Sequence, residues 1–563
     1  MTQRKTLLLG EMLVNKGMIT IEHLDKALAE QNRSKGFLGS ILIRMGFVTE
    51  EELLPVLSEQ LGIEYVKLKD VAIEPDIIKL VPAKLVNYYK LVPLRFSNNM
   101  LTIAVTDPLD IHTLDDIRLI LGYEIVSVLA GEKDIIETIR AYYGIGADTI
   151  EKMTPKEGIK EEAALEDIET LADDATIIKF VNQIITQAYR DRATDIHIEP
   201  YEDELLIRFR IDGVLHDVPV PPTLKHFQQA IISRIKIMSD LNIAERRLPQ
   251  DGRANVVIGG DEINLRVSIL PTPFGETVDI RILSTKILYS LENLGIFPHD
   301  LEIIEQVIKS PHGIIFVTGP TGSGKTTTLY ACLQKINDRE KKILTIEDPI
   351  EYQLKGITQI QVHPKIGLTF AQGLRSMLRH DPDIMMVGEV RDMETAEITI
   401  RLALTGHLVF STLHTNDAPG AVARLLDMGV EPYLVSSSVI CIIAQRLVRV
   451  LCPDCKKQLK MTREILDEVG ISDSSKIGKS IFAEKGCRGC KFTGFKGRTA
   501  IYEILLLNDA INELILKRSS SDQIRKKAVS LKMITLRESG FEKVLKGITS
   551  ISEILRVTRE EEI

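Results

Sequence analysis

The spacing of hydrophobic positions changes several times along the chain, and each change predicts a different kind of element. In the first sixty residues, leucines lie four positions apart, as at Leu24 and Leu28, which is typical of short amphipathic helices. Residues 63–143 alternate between short β-rich and helical stretches. Unbroken apolar runs such as residues 314–317 come later and indicate buried strands. The pattern therefore predicts several domains of different architecture.

The first sixty residues also contain an internal repeat. Leu9-Gly10 recurs 29 positions later as Leu38-Gly39, and the leucines and glutamines that follow recur with the same spacing. Each unit predicts a short helix, a glycine turn, a threonine cap and a second helix. Two units predict one helical module over residues 1–62, with a plain pair of helical hairpins as the alternative.

Shifts in composition divide the remaining chain. The expected segments are an α+β domain at 63–144, an acidic linker at 145–174, a second α+β domain at 175–285, an α/β domain at 290–505 and a helical region at 506–563. The linker prediction rests on eight acidic residues between positions 157 and 174, against the single Lys160. Glycine-marked strand-to-helix junctions are the reason for expecting an α/β sheet at 290–505.

Composition excludes some classes of function. The chain has 563 residues, of which 44% are hydrophobic and 26% charged, as in ordinary globular proteins. Its net charge of −9 argues against a nonspecific nucleic-acid binder, so a DNA-moving motor is a disfavoured alternative. No apolar run approaches the ~20 residues of a transmembrane helix, and no export signal is visible at the start. We therefore expect a cytoplasmic protein.

A glycine-rich motif gives the most specific evidence for chemistry. Residues 319–326 (GPTGSGKT) fit the phosphate-binding pattern G-x-x-x-x-G-K-[ST], between an apolar stretch and a predicted helix. Backbone N–H groups of such a loop surround phosphate oxygens, and the helix N-terminus favours negative charge. We expect Lys325 to reach the β- and γ-phosphates of ATP and Thr326 to bind Mg²⁺. The predicted nucleotide-binding residues are Gly319, Pro320, Thr321, Gly322, Ser323, Gly324, Lys325, Thr326 and Thr327.

Hydrolysis also needs a carboxylate that orients water. Glu389 follows the apolar residues 384–387, at the carboxyl end of a predicted strand, where ligands of α/β sheets bind. We predict that it is the catalytic base. Glu347 and Asp348 end another predicted strand and are expected to hold Mg²⁺ through water. A solvated turn carboxylate is the alternative for each.

Histidines and arginines are further candidates for contact with the phosphates. His407 and His414 flank a predicted strand and could sense the γ-phosphate, although a structural hydrogen bond is an equal alternative. Four arginines are candidates for charge stabilisation, with plain salt bridges as the alternative: Arg375 and Arg379 on one helix face, and Arg266 and Arg281 as arginine fingers from strands of the preceding domain.

Four of the six cysteines form two Cys-x-x-Cys pairs, Cys452/Cys455 and Cys487/Cys490. Two such pairs can supply a tetrahedral set of four thiolates, which favours Zn²⁺. No histidine lies near enough to suggest an open catalytic position, so we predict a closed structural zinc module at 450–498. A redox-active pair is the competing interpretation.

Taken together, these residues resemble the secretion and pilus-assembly ATPases of bacterial type II secretion and type IV pili. The resemblance covers nearly the whole chain. It is carried by the phosphate-binding loop, the paired Cys-x-x-Cys and residues 193–200 (ATDIHIEP), 247–253 (RLPQDGR), 345–349 (TIEDP), 387–392 (VGEVRD) and 411–416 (STLHTN).

The resemblance implies a RecA-like motor domain, a PAS-like domain before it, and a homohexameric ring that hydrolyses ATP. In this family Glu389 is the Walker B acid, Glu347 and Asp348 form the acidic box, and His407 and His414 the histidine box. The partners it implies are inner-membrane assembly platform proteins, which would hold the protein peripherally at that membrane. Residues 346–352 (IEDPIEY) and the C-terminal segment are more similar to the type II secretion ATPase; a pilus-extension ATPase and a nucleotide-gated scaffold are the alternatives.

The repeat resembles a module that binds cyclic di-GMP in some members of the family. That pattern begins with arginine, whereas Leu8 and Phe37 occupy the arginine positions here. Because a guanidinium would pair with phosphate or stack on guanine, its absence argues against the ligand. We expect the module to dock on the membrane platform instead.

Overall fold

The computed structural model describes residues 8–34, 36–71, 73–144, 149, 174–284, 290–470 and 473–558. The predicted acidic linker, 145–174, lies outside the described residues except at positions 149 and 174. The chain divides into two compact units, and the boundary between them in the sequence lies between Leu283 and Ser284.

The internal repeat forms two helix pairs that pack in the same way. Its helices are α1 (Leu9–Asn15), α2 (Ile21–Ser34), α3 (Leu38–Arg44) and α4 (Glu50–Leu61). A Cβ atom on Gly10 would lie 2.4 Å from Leu24 Cδ1, and one on Gly39 would lie 2.9 Å from Leu53 Cδ2. The repeated glycine therefore permits close contact with the repeated leucine. Thr49 caps α4 as predicted.

A three-stranded sheet follows the repeat. β1 (Val92–Ser97) is antiparallel to β2 (Met100–Val105), and β3 (Glu124–Leu129) lies parallel to β2 after a crossover. The accompanying helices are α5 (Pro75–Lys79), α6 (Ala83–Tyr89), α7 (Ile111–Leu121) and α8 (Glu132–Tyr143). Buried side chains from the strands and helices, such as Ile103, Ile117 and Ile135, form one core.

The first unit ends in a six-stranded sheet. Its strands are β4 (Ala193–Pro200), β5 (Leu205–Ile211), β6 (Val214–Asp217), β7 (Gln250–Ile258), β8 (Asp261–Thr272) and β9 (Gly275–Ser284), in the order β6-β5-β4-β9-β8-β7. Two helices, α9 (Ala175–Arg190) and α10 (Gln228–Met238), accompany the sheet. The buried side chains of α9 recur at helical spacing, so the helix is amphipathic and one of its faces belongs to the core of this sheet.

The second unit contains nine strands among its described residues: β10 (Gly313–Thr318), β11 (Ile343–Glu347), β12 (Thr358–Gln361), β13 (Ile384–Val387), β14 (Leu408–Leu413), β15 (Val439–Leu451), β16 (Lys457–Lys460), β17 (Ser480–Ala483) and β18 (Phe495–Leu506). Seven of them form a mixed sheet with the order β12-β11-β13-β14-β10-β15-β18. The other two, β16 and β17, form a separate antiparallel sheet.

The helices of this unit connect the strands and form its C-terminal region. They are α11 (Pro298–Val307), α12 (Lys325–Ile336), α13 (Phe370–Met377), α14 (Met393–Leu404), α15 (Ala418–Asp427), α16 (Pro432–Ser438), α17 (Arg463–Val469), α18 (Asp509–Leu516), α19 (Ser521–Ser530), α20 (Leu536–Leu545) and α21 (Ile551–Val557). The fold is therefore mixed α/β, as predicted.

Parallel strand register brings the loops that carry the motifs to one edge of this sheet. Thr318, the last residue of β10, pairs with Leu413, the last residue of β14. Val387, at the end of β13, pairs with Ser411 of β14 and with Ile346 of β11. The carboxyl ends of four central strands consequently meet at the edge from which the phosphate-binding loop leaves.

Candidate nucleotide-binding and metal sites

The glycine-rich loop connects β10 to α12, in the strand–loop–helix order that its sequence predicts. Gly319 has a φ of +154°, and a Cβ atom there would lie 2.6 Å from both the Gln445 carbonyl oxygen and Ser323 Oγ. Gly324 has a φ of +87°, and its Cβ would lie 2.8 Å from Gln445 Nε2. Both positions therefore require glycine, for backbone conformation and for space.

Lys325, the first residue of α12, folds back over this loop. Its Nζ donates hydrogen bonds to the carbonyl oxygens of Gly319 (2.8 Å) and Pro320 (3.1 Å). Burial lowers the pKa of the Lys325 ammonium group to about 8, Glu389 opposes this change, and Arg446 adds to it. The group thus keeps its positive charge at neutral pH, in the concave side of the loop.

Hydroxyl groups of the loop and of the first turn of α12 could bind a phosphate and its Mg²⁺. Ser323 Oγ is buried and has no hydrogen-bond partner among the described residues, so it is available to an oxygen of a bound phosphate. Thr326 and Thr327 are partly exposed in the first turn of α12, while Thr328 is turned inward and donates to Gln445 Oε1 at 2.7 Å. The donor set of the loop fits a Mg²⁺-bound triphosphate.

Glu389 lies two residues after β13, at the same sheet edge. Its side chain is only 11% exposed, forms an ion pair with Arg391 Nη2 (2.6 Å) and contacts His414 Nε2 (3.4 Å). Backbone hydrogen bonds from Gly388 N to Ile346 O (2.8 Å) and from Val390 N to Thr412 O (3.1 Å) fix the turn that carries it. A carboxylate is thereby held within electrostatic reach of Lys325.

The segment after β14 is tied directly to the strand that precedes the glycine loop. Thr318 Oγ1 is 2.7 Å from Thr415 Oγ1 and accepts a hydrogen bond from Thr415 N at 2.9 Å. His414 therefore has a defined place beside Glu389. Burial lowers the pKa of His414, Lys325 and Arg391 lower it further, and Glu389 opposes them.

The structure separates the two acids predicted to hold Mg²⁺. Glu347 is 3% exposed and accepts hydrogen bonds from Thr345 Oγ1 (2.6 Å), Gln359 Nε2 (3.0 Å) and the Tyr330 hydroxyl. Asp348 is exposed and interacts electrostatically with Arg391. Of the pair, Asp348 is the one presented to solvent at the sheet edge, whereas the Glu347 oxygens are occupied by buried donors.

Within a single chain, His407 lies at the end of β14 that is remote from the glycine loop, and its contact with the phosphates stays a prediction. His407 immediately precedes β14, and its carbonyl oxygen accepts a hydrogen bond from Gly313 N, at the start of β10, at 3.1 Å. The glycine loop follows the opposite end of β10. A strand of six residues separates the two ends by about 20 Å. His407 Nδ1 instead contacts the Leu402 carbonyl oxygen at 3.0 Å, which is the structural alternative.

The predicted arginines occupy several places. Arg375 Nη2 bonds Glu394 at 2.7 Å, and Arg379 donates to the Arg375 carbonyl oxygen. Arg281 of β9 forms an ion pair with Asp195 of β4 at 2.9 Å. Arg266 lies on β8, opposite Arg253 of β7. The last two belong to the first unit, and their role as fingers across a subunit interface stays a prediction.

Two residues near the glycine loop were not predicted from the sequence. Gln445 and Arg446 lie in the middle of β15, and both approach Gly319. The Arg446 side chain is 9% exposed and donates to the carbonyl oxygens of Gln445 (3.0 Å) and Asn416. The available signal was a polar pair interrupting the otherwise apolar residues 439–448.

The four cysteines converge as predicted. Their sulfur atoms all lie within 4.8 Å of one another, with separations of 3.9 Å (Cys452–Cys487), 3.8 Å (Cys455–Cys490) and 3.7 Å (Cys487–Cys490). Tetrahedral Zn²⁺ with bonds of about 2.3 Å requires sulfurs about 3.8 Å apart. Although burial raises the pKa of Cys490, N–H groups of Cys487 and Gly494 lower it to about 7 overall. The cluster fits Zn²⁺.

The strand, glycine loop and helix, with Glu389 at the same sheet edge, define a P-loop nucleotide-binding protein. The family described as Type II/IV secretion system protein matches residues 170–556, and the chain belongs to this family. An MshEN domain matches residues 61–149. Among the described residues, no helix is both long and apolar enough to cross a membrane.

Relatives and a solved structure agree with this membership. The type IV pilus assembly ATPase PilB of Myxococcus xanthus is 44% identical over 560 residues, covering 97% of this chain and 98% of its own. The type II secretion system protein E of Pseudomonas aeruginosa is 48% identical over 397 residues, covering 70% and 78%.

The X-ray structure of the Legionella pneumophila ATPase DotB covers 67% of this chain and 95% of its own, with a TM-score of 0.51 and 21% identity, which shows a shared fold. The family and the names of the relatives make the chain an ATPase of secretion or pilus systems.

Proposed function

We propose that the protein is a motor that hydrolyses ATP at the edge of the seven-stranded sheet to drive assembly of pilin-like subunits. The main support for this proposal is that the loop lysine, Lys325, lies within electrostatic reach of a nearly buried carboxylate, Glu389. In the proposed site, Lys325 and the loop N–H groups bind the β- and γ-phosphates. Thr326, and Asp348 through water, hold Mg²⁺, which neutralises charge on the phosphates.

Glu389 is proposed to orient the attacking water and to accept its proton. His414, 3.4 Å from one carboxylate oxygen, keeps the Glu389 side chain directed at the sheet edge. Arg391 contacts the other oxygen, so that oxygen must exchange its partner before it can take a proton. The charge that develops on the γ-phosphoryl group is stabilised by Lys325 and by arginines.

The arginines of the first unit enter this proposal as trans contributors. We place Arg266 and Arg281 of one subunit at the nucleotide bound by a neighbouring subunit in a homohexamer. Arg375 and Arg379 are also proposed to lie near the phosphates. The six-stranded and seven-stranded sheets then correspond to the PAS-like and RecA-like domains of the family. Hydrolysis would change their relative orientation, and a membrane platform would receive the motion, so the protein would work peripherally at the inner membrane.

The choice between the two systems depends on the extent of the similarity. We favour type IV pilus assembly, because the Myxococcus relative aligns with 97% of the chain, including the repeat and the MshEN domain. Type II secretion is the second candidate: residues 346–352 and the C-terminal segment favour it, and so does the 48% identity over the matched part of the Pseudomonas relative.

Substitution at the P-loop tests the proposed site. Lys325→Ala should abolish nucleotide binding, and Glu389→Gln should retain binding but lose turnover by at least a hundredfold. Lys309→Ala, in the exposed turn after α11, and Glu397→Gln, on α14, serve as controls and should behave as wild type. Full turnover by Glu389→Gln would remove that residue from its role as base.

Deletion of the gene in its host distinguishes the two systems. Loss of surface pili with normal export supports pilus assembly, whereas retained exoproteins in piliated cells support type II secretion. Complementation by the Glu389→Gln variant should fail in either case.

A further inference from the structure

A buried carboxylate outside the proposed catalytic set connects three elements of the second unit. Glu503 lies in β18, is 2% exposed, and has a separate backbone partner for each oxygen. Oε1 accepts a hydrogen bond from Ala418 N at 2.8 Å, and Oε2 accepts one from Leu536 N at 3.3 Å. These N–H groups belong to the first residues of α15 and α20, so one side chain binds two helix N-termini.

The register of the sheet places Glu503 in the same row as the residue before the glycine loop. Glu503 pairs with Ala444 of β15, and Ala444 pairs with Thr318 of β10. Paired residues direct their side chains to the same face, and two strand spacings amount to about 10 Å. The small side chain of Ala444, fully buried between them, leaves space on this face for the start of α15.

The segment 414–418, here called the His414 loop, is therefore held at both ends by one row of the sheet. Thr318 binds it at Thr415 through three contacts, and Glu503 binds it at Ala418. Between these points Thr415 Oγ1 donates to the Asp417 carbonyl oxygen at 2.9 Å. The loop that carries His414, which contacts Glu389, is therefore fixed from both sides.

We propose that Glu503 is a positioning residue for ATP hydrolysis, which fixes the His414 loop beside the P-loop and joins it to the C-terminal helix α20. The inference rests on the proposed roles of Glu389 and His414. Glu503 itself touches neither phosphates nor Glu389; it acts through the backbone of α15.

The burial of Glu503 makes its ionised form energetically costly. Burial raises the pKa of its carboxyl to about 7; the Ala418 N–H opposes the change, Asp417 adds to it, and Arg525 opposes it. Asp417 and Arg525 form their own ion pair at 2.7 Å beside it. An apolar side chain at this position would leave the two backbone N–H groups without an acceptor, so the site requires this geometry despite the cost of burying the carboxylate.

The test compares steady-state ATP hydrolysis and binding of a fluorescent ADP analogue in the full-length protein. Glu503→Gln keeps the shape but replaces one of the two acceptor oxygens by a donor NH2 group, so one backbone N–H loses its acceptor. It should lower kcat at least tenfold while the affinity for the analogue stays within about twofold. Glu553→Gln is the matched control, because Glu553 is equally buried but bonds Arg449 and Arg556. Its kcat should remain within about twofold of wild type.

A double-mutant cycle with Thr318→Val tests whether both residues act on the same loop. If they do, the double variant should lose no more kcat than the more impaired single variant, whereas multiplied losses would overturn the inference. Wild-type kcat in Glu503→Gln, or equal losses in Glu503→Gln and Glu553→Gln, would also overturn it.

Should Glu503→Gln not fold, Glu503→Asp, which keeps the charge but shortens the reach, replaces it in the same comparison. Glu389→Gln is measured in parallel: if that variant turned over normally, the proposed catalytic site would fail independently of Glu503.

Discussion

Glu389 and His414 follow neighbouring parallel strands, and their side chains meet with Nε2 of the imidazole 3.4 Å from Oε2 of the carboxylate. Burial lowers the pKa of His414 below its ordinary value, with Lys325 and Arg391 adding to the effect and Glu389 opposing it. The imidazole is therefore neutral at pH 7 and can donate one N–H to the carboxylate. This contact links two loops that are 25 residues apart in the sequence.

Replacement of His414 tests the value of this contact. We expect His414→Ala to lower kcat about tenfold, because Glu389 loses one hydrogen bond that fixes its direction. Nucleotide affinity should change little, since the P-loop is untouched. A stopped-flow or coupled ATPase assay measures kcat; an unchanged value would show that Arg391 alone positions the carboxylate.

Glycine substitutions separate steric from conformational requirements in the P-loop. Gly324→Ala would bring a Cβ within 2.8 Å of Gln445 Nε2, whereas Gly322→Ala meets nothing within 4 Å, although both have positive φ. Both should bear the cost of about 1–2 kcal/mol for a left-handed conformation. Only Gly324→Ala should also lose most nucleotide affinity, as measured by titration. Equal affinities would mean that Gln445 moves aside.

Glu347, the last residue of β11, and Asp348, which follows it, should respond differently to neutralisation of their charge. Asp348→Asn should raise the Mg²⁺ concentration needed for half-maximal activity, because Asp348 is the exposed member of the pair. Glu347→Gln should mainly destabilise the fold by about 1–3 kcal/mol, because a buried acceptor of three hydrogen bonds is replaced. Metal titrations and thermal melts measure the two effects, and a reversed pattern would contradict this assignment.

Metal analysis tests the four-cysteine cluster. The purified protein should contain about one Zn²⁺ per chain, and Cys487→Ser should lose it and melt at a lower temperature. Cys332→Ala is the control, since Cys332 is a buried cysteine outside the cluster. Full folding of a metal-free protein would refute a structural zinc.

The pH dependence of stability has a defined sign at Glu503. Its pKa is raised from 4.5 to about 7, so the folded state binds the proton more tightly than the unfolded chain does. The stabilisation by this proton is complete below about pH 4.5 and is lost as pH rises towards 7, by about 3 kcal/mol. The loss of thermal stability between pH 5 and 7.5 should therefore be smaller in Glu503→Gln. Parallel curves for the two proteins would contradict the shift.

Contiguous motifs were predictable from the sequence, whereas contacts between distant segments were not. The P-loop and its flanking strand and helix occupy adjacent residues, so the motif itself fixes their order. Arg446 was missed because its proximity to Gly319 arises only when β15 pairs with β10, over more than a hundred residues. His407 and His414 are close in sequence, but an extended strand separates them. Motifs can therefore be predicted from local sequence, whereas the register of the strands determines which motifs lie close together in the fold.

Strand β15 reaches from the floor of the P-loop to the metal cluster. Arg446 lies near its middle, and Cys452 follows its last residue, six positions or about 20 Å further along. The pairing of β15 with β10 ends at Ala444, whereas its antiparallel pairing with β18 continues to Leu451, so the ladder with β18 connects the nucleotide site to the cluster. A force that a binding partner applied to the four-cysteine cluster would consequently reach the nucleotide site through the backbone of β15.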